Sequence, residues 1–311
     1  MKRIFTLILV LFVSTCLNFS PVSRTVSFGQ SASFARVAAW NQQGVRFDNQ
    51  GQVLPIHKPD ELRAGIAAID PDVIALSEVN SRESMDEIVA TPFANGASYK
   101  VSMDSDQPTP QKIAVLFKDS PDISVGNRRA VPGSDDNQPD RLRKAWAFDV
   151  RIKNFDFLLI AVHLKSGRGA TERATRNRQT TAIANFIRHE VTTKAEKDVL
   201  VVGDYNMIPS QDAQTFSKLS PGPANNEFLR FISSTLSPPS HIDGCNHGKP
   251  TGNLLDGFSI SRVQTHEWTG FIRILQLQTL LPNMGCTKYK NTVSDHLPLV
   301  ARFRTSMADD D

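Results

Sequence analysis

The chain has 311 residues, of which 40% are hydrophobic and 22% charged, and a formal net charge of +3. That is the balance of an ordinary globular protein, and the absence of any repeat at solenoid spacing or long low-complexity tract excludes repeat and fibrous architectures. Residues 1–29 hold Lys2, Arg3 and Arg24 and no acid, so without them 32 basic residues face 32 acidic ones and no global basic field argues for nucleic acid.

The N-terminus opens with Met1-Lys2-Arg3 and an apolar run from Ile4 to Val13 broken only by Thr6. A run this short does not span a bilayer comfortably, so a signal peptide over residues 1–29 is expected, with Ser27-Phe28-Gly29 fitting the small-x-small rule for cleavage. Thr15 before Cys16 is a poor fit to a lipoprotein signal. Apolar runs then predict strands at 34–39, 73–77, 113–117, 145–152, 157–162, 199–202, 255–261 and 297–303. Helical periodicity predicts helices at 58–68, 84–89 and 171–190, the last with Ala174, Thr181, Ile183, Ala184 and Ile187 on its apolar side. Pro55, Pro59, Pro108, Pro110 and Pro132 punctuate loops. No linker divides the chain, so one domain over residues 35–305 is expected. Two sheets packed face to face with outer helices fit this order of elements.

The ends of five of these runs carry polar side chains that cannot lie in a core without partners. Asn41 follows Arg36-Val37-Ala38-Ala39-Trp40, as a turn former or as a ligand. Glu78 follows Ile74-Ala75-Leu76-Ser77, as a surface residue opening a turn or as a carboxylate ligand. His163 ends Leu158-Leu159-Ile160-Ala161-Val162. Asp204 and Asn206 straddle Tyr205 after Val199-Leu200-Val201-Val202-Gly203; extended backbone would turn both side chains the same way, while an Asx turn before Pro209 is the plainer alternative. Ser294-Asp295-His296 precedes Leu297-Pro298-Leu299-Val300. Oxygen-rich ligands without a Cys or His cluster suit a hard cation better than zinc, and the two histidines suit proton work. Local basic stretches stand at Arg128, Arg129, Arg141, Arg143 and Lys144, and at Arg168, Arg173, Arg176 and Arg178; such runs are more often solvated than functional. Cys16 leaves with the leader, so Cys245 and Cys286 remain as a disulfide of an exported protein or as two thiols.

Strand ends in the order Asn, Glu, His, Asp-x-Asn and Ser-Asp-His resemble the endonuclease/exonuclease/phosphatase superfamily. This is the fold group of pancreatic-type deoxyribonuclease, neutral sphingomyelinases and inositol polyphosphate 5-phosphatases, and the resemblance runs from about residue 35 to 303. It implies an α/β fold, a four-layer sandwich of two packed mixed β-sheets with outer helices. It further implies a secreted or periplasmic, metal-dependent phosphodiesterase, a nuclease hydrolysing DNA or RNA through in-line attack of an activated water. On that resemblance Asp204 orients the water, Asn206 donates to a phosphoryl oxygen, His163 and His296 assist, and Asp256, before its own apolar strand, orients His296. Asn41, Glu78 and Asp295 would hold Mg2+, with Mn2+ or Ca2+ as alternatives; Asn41 and Arg143 would contact the scissile phosphate, although Arg143 reads equally well as a solvated cation. The implied partner is a phosphodiester substrate, nucleic acid first, with no membrane span and a monomeric chain.

Two departures from the pattern stand out. Tyr205 replaces the usual Phe, and residues 109–114 (TPQKIA) lack the carboxylate that deoxyribonuclease-like members place behind the first histidine. A sphingomyelinase-type lipase, a phosphoinositide or phosphomonoester phosphatase and a non-catalytic binding module share the same scaffold. Residues 271–281 (FIRILQLQTLL) are the one candidate for a membrane-inserting hairpin, and read equally well as a buried strand or helix.

Overall fold

Strands that are apolar at every position need cover on both faces, and the topology supplies it. The computed structural model describes residues 34–105, 107, 109–135, 144–194, 197–219, 229–232, 236–237, 239–261 and 264–306. The expected signal peptide and Arg143 lie outside the described residues. In chain order the elements are β1 (Phe34–Asn41), β2 (Val45–Phe47), β3 (Val53–Pro55), α1 (Pro59–Ile69), β4 (Val73–Val79), α2 (Arg82–Val89), β5 (Tyr99–Ser102) and β6 (Lys112–Lys118). There follow β7 (Ile123–Ala130), β8 (Trp146–Ile152), β9 (Phe155–His163), α3 (Ala170–Thr193), β10 (Val199–Asp204), α4 (Ala213–Lys218) and β11 (Arg230–Phe231). The last are β12 (His241–Asn246), β13 (Lys249–Asn253), β14 (Asp256–Ile260), β15 (Trp268–Ile274), α5 (Leu277–Leu280), α6 (Gly285–Thr292) and β16 (Leu299–Arg304).

Two six-stranded mixed sheets result, in the orders β15-β16-β1-β4-β6-β5 and β11-β14-β10-β9-β8-β7. Side chains alternate between faces along each strand. Ala35, Val37 and Ala39 of β1 therefore meet Phe157, Leu159 and Ala161 of β9 in the core between the sheets. Phe155 stacks on Phe157 and Phe303 there, with ring centroids 4.6 and 5.0 Å apart. The opposite faces are covered by helices. Trp40, Ile74 and Leu76 pack against Leu62 and Ile66 of α1, Met85 of α2 and Tyr289 of α6. Leu158, Ile160 and Val201 pack against Ile183 and Ile187 of α3. The outcome is the expected four-layer α/β sandwich.

Register decides where the site falls. β1 runs parallel to β4 and β9 parallel to β10, so their C-terminal ends emerge together: Asn41 sits opposite Ser77, and His163 opposite Asp204. β14 runs antiparallel to β10 and brings Asp256 opposite Asp204. Gly203 makes the β9–β10 approach feasible, since a Cβ there would lie 2.2 Å from the Val162 carbonyl oxygen, and its φ of +131° suits glycine alone.

The structure departs from the sequence reading in the inward face of α3 and in the elements that carry no apolar run. The inward face of α3 carries Thr175, Arg176, Gln179 and Thr180 before Ile183, while Ala174 and Thr181 are exposed. The polar first turns of that helix floor a cleft, where apolar periodicity carries no signal. Strands β2, β3, β5, β7 and β11–β13 were not anticipated; β7, for one, lies at a sheet edge with a half-exposed polar sequence. Residues 271–281 divide between β15 and α5, with Leu277 and Leu281 buried in the helix-side core, which is the buried strand or helix held open as the alternative to an inserting hairpin. No described helix is long and apolar enough to cross a membrane.

Cys245 and Cys286 form a disulfide, with Cα atoms 6.0 Å apart and 41 residues between them in sequence. It fastens the β12–β13 hairpin to α6, the helix that leads into Ser294-Asp295-His296. Closing a loop of this length stabilises by about 4 kcal/mol on the chain-entropy model. Reduction is therefore expected to lower the melting temperature by several degrees. Thiol titration of denatured, unreduced protein checks the bond, and a Cys245→Ser, Cys286→Ser double variant that melts where the reduced wild type melts checks its share.

Candidate functional site

Asp204 is the hub. It ends β10 almost fully buried, and both carboxylate oxygens are committed: Oδ1 accepts from the Asn206 backbone N–H at 2.8 Å, and Oδ2 from Asn41 Nδ2 at 3.1 Å. The same Oδ2 stands 3.7 Å from His163 Nε2 and 3.9 Å from His296 Nε2. Burial, with the Asp256 carboxylate across the ladder adding to it, pushes the Asp204 pKa up to about 7.

Asn41 also donates to Glu78 Oε1 at 3.2 Å, so one amide bridges two carboxylates. Glu78 reaches the cleft through a defect in β4. The pairing of β4 with β6 shifts register between Leu76 and Val79, and Glu78 adopts a left-handed φ of +56°. Leu76 and Val79 both face the helix-side core, so the bulge inserts one extra residue into β4 and re-aims Glu78. The Glu78 carboxylate then lies 3.6 Å from His163 Nε2. The first histidine thus has an acid beside it, from β4 and not from residues 109–114.

His296 is oriented from behind, its Nδ1 sharing a 2.7 Å hydrogen bond with Asp256 Oδ2. Burial alone would lower its pKa; the Asp256 and Asp204 carboxylates outweigh that and hold it well above the usual histidine range. The backbone around it is pinned. The His296 carbonyl accepts from Trp40 Nε1 and Tyr289 Oη, and Ser294 Oγ donates to the Asn41 carbonyl while accepting the His296 N–H. Ser240, fully buried, accepts both the Leu255 and Asp256 N–H groups at 2.9 Å.

Asn206 differs from expectation. Its φ of +50° takes it out of extended geometry, and its amide donates to the Leu164 carbonyl at 3.1 Å, so it does not share a face with Asp204. It still lines the cleft, in the turn anticipated as the plainer alternative.

Glu78, His163, Asp204, Asn206, Asp295 and His296 line one cleft of ≈ 370 Å³. Asn41 and Asp256 sit immediately behind this lining, through the bonds given above. Three residues to which the sequence reading gave no site role stand at or beside the cleft. His241 opens β12 beside His296, with ring centroids 4.7 Å apart, and burial, then His296, lowers its pKa. Lys58 is buried against the Gln43 and Val293 carbonyls; burial lowers its pKa to about 8, against the pull of Asp295. Arg176 donates to the Lys165 and Gly167 carbonyls at 2.7 Å and braces the loop between β9 and α3. Arg168 and Arg173 also line the cleft. Arg176 was visible only within a basic stretch and Lys58 only as a helix start; His241 belongs to no run or motif.

The donor set suits a divalent cation. Three carboxylates around one small cleft repel each other, and a cation offsets that repulsion. Ligand atoms of His241, Asp295 and His296 lie within 4.8 Å of one another, as do those of Asp204, Asp256 and His296.

No protein-family model matches this chain, and no curated protein matches it by sequence. Solved structures do match by fold. Truncated TDP2 of Caenorhabditis elegans superposes with a TM-score of 0.58 at 15% identity, covering 87% of this chain and 97% of that one. D. rerio TDP2 complexed with single-strand DNA product gives 0.59 at 14% identity over 87% and 99%. An endonuclease/exonuclease/phosphatase family protein from Bacteroides thetaiotaomicron gives 0.59 at 12% identity over 86% and 94%. The fold is that of the endonuclease/exonuclease/phosphatase superfamily, as the strand-end motifs implied.

Proposed function

We propose that this chain is a divalent-metal-dependent phosphoester hydrolase acting on phosphodiesters, nucleic acid foremost, in a secreted or periplasmic setting. The observation that carries the reading is Asp204 Oδ2 standing within 4 Å of two imidazoles, each with a second carboxylate of its own. A carboxylate fixed by the Asn41 amide and the Asn206 N–H can orient a water toward phosphorus and take its proton. His296, held protonated by Asp256, can donate to the leaving oxygen, and His163 can stabilise charge on the phosphoryl oxygens. Glu78 and Asp295, with Asn41 between Glu78 and Asp204, would hold Mg2+ or Mn2+, which when bound supplies Lewis-acid neutralisation of phosphoryl charge.

The rest of the cleft favours nucleic acid over a choline lipid. Arg168 and Arg173 line it from the loop before α3 and from the first turn of that helix. A cationic choline headgroup is repelled by two guanidinium groups, whereas the neighbouring phosphate of a polynucleotide is attracted. The D. rerio TDP2 structure, whose fold this chain shares, holds single-strand DNA product. The disulfide fits an exported protein. A monomer remains our expectation. Arg143, the other proposed phosphate contact, lies outside the described residues.

The test is a panel with magnesium: plasmid DNA, RNA, sphingomyelin, a phosphoinositide and bis-p-nitrophenyl phosphate. Nucleic acid should be the best substrate, and Arg168→Ala, Arg173→Ala should raise its KM at least ~10-fold and flatten its salt dependence. Sphingomyelin hydrolysed best, with KM indifferent to the arginines, would overturn the substrate assignment. No hydrolysis of any panel member would overturn the enzyme.

A further inference from the structure

The β12–β13 hairpin brings a third imidazole to the cleft that the reaction above does not use. Its placement follows from backbone pairing: His241 bridges His296 across an isolated antiparallel pair, and the next N–H, that of Ile242, donates to the Asp295 carbonyl at 2.6 Å. The disulfide at Cys245 ties the same hairpin to α6. His241 Nε2 then stands 3.8 Å from Asp295 Oδ2, and its Nδ1 stands 3.2 Å from Asp243 Oδ1. Two atoms each ~2.1 Å from one ion can be no more than ~4.2 Å apart, so His241 Nε2 and Asp295 Oδ2 can share an ion without movement of the backbone. Asp243 Oδ1 is close to the far ring nitrogen but not aligned for a hydrogen bond; a carboxylate at that place is the usual partner that fixes the tautomer and ring of a metal-bound histidine.

We propose that His241 is a nitrogen ligand to the divalent ion at Asp295, oriented by Asp243, and that it shifts the site's preference from Mg2+ and Ca2+ toward Mn2+ and later transition metals. The inference rests on the metal-dependent reading above and goes beyond it, because the ligands expected there were oxygen donors only. Imidazole suits transition metals, whereas Mg2+ and Ca2+ are served by oxygen. Packing against His296 would by itself account for a ring at this position, but not for Nε2 facing Asp295 with a carboxylate behind Nδ1.

The test loads the mature protein with Mn2+ and records pulsed electron paramagnetic resonance, which detects the 14N coupling of a directly bound imidazole. Calorimetry compares Mn2+ and Mg2+ affinities of wild type, His241→Gln and His241→Asn. The proposal expects 14N coupling in wild type and its loss in both variants. Mn2+ affinity should fall at least ~10-fold, and Mg2+ affinity by a smaller factor. Coupling that survives in the variants assigns the nitrogen to His163 or His296 and overturns it. Wild type that binds Mn2+ without nitrogen coupling also overturns it, and leaves the hydrolase reading standing. Wild type that binds neither ion and hydrolyses fully in chelator overturns both.

Discussion

Asp204→Asn should lower turnover at least ~100-fold, the lower range for losing a positioned base or charge stabiliser, and should raise the melting temperature at pH 7.5 in chelator. The two effects have one cause. Asp204 is almost fully buried beside Asp256, and its pKa is pushed up to about 7 by burial and that neighbour. An unfolded Asp titrates near 4, so between about pH 4 and 7 the folded chain holds a proton that the unfolded chain has lost. Relative stability is therefore full below pH 4 and falls as pH rises through 7. Asparagine keeps the shape and removes the buried charge, so the variant loses that pH dependence, while one of the two hydrogen bonds that Asp204 accepts is also lost. His163→Ala and His296→Ala should lose turnover by a similar factor, but both residues are buried, and an alanine there also leaves a cavity. The strand-end residues are not loosely held groups facing solvent, so rates must be normalised to the folded fraction. Melting curves and single-turnover rates on the same samples check all three. A variant that melts lower yet hydrolyses normally once folded would place that residue in the fold and not in the chemistry.

Chelation should have an equally large effect. EDTA is expected to abolish hydrolysis, and Mg2+ or Mn2+ to restore it, because Glu78, Asp204 and Asp295 line one cleft of ≈ 370 Å³ and their mutual repulsion is relieved by a hard cation. The same ions should raise the melting temperature in proportion to their binding. Hydrolysis at full rate in chelator would exclude the metal-dependent mechanism.

The layered fold was legible because β1, β4, β9 and β10 are apolar on both faces, and only a sheet covered on both sides accommodates that pattern. Asn41, His163 and Asp204 were legible as candidates because each ends such a run, and parallel pairing makes strand ends coincide. Glu78 was identified at a strand end, but not the route by which it reaches the cleft: the bulge at residues 76–79 depends on pairing with β6, which no local pattern encodes. His241 was missed for a related reason. It lies on a short, polar, half-exposed hairpin whose place is set by a disulfide and by backbone pairing with Asp295-His296. Lys58 was assigned to a helix start, and only tertiary structure buries its ammonium against the Gln43 and Val293 carbonyls. The inward face of α3 was misread because its first turns bury Arg176 and Gln179, which brace a loop through hydrogen bonds and carry no apolar period.

The central claim is that a water oriented by Asp204 attacks phosphorus in line, in one step. Single-turnover cleavage of a phosphodiester bearing a chiral phosphorothioate, run in 18O water with Mg2+, tests it most directly. The account predicts one 18O atom on phosphorus, with inversion of configuration. Retention of configuration would reveal a phosphorylated intermediate on His163 or His296, and would contradict it.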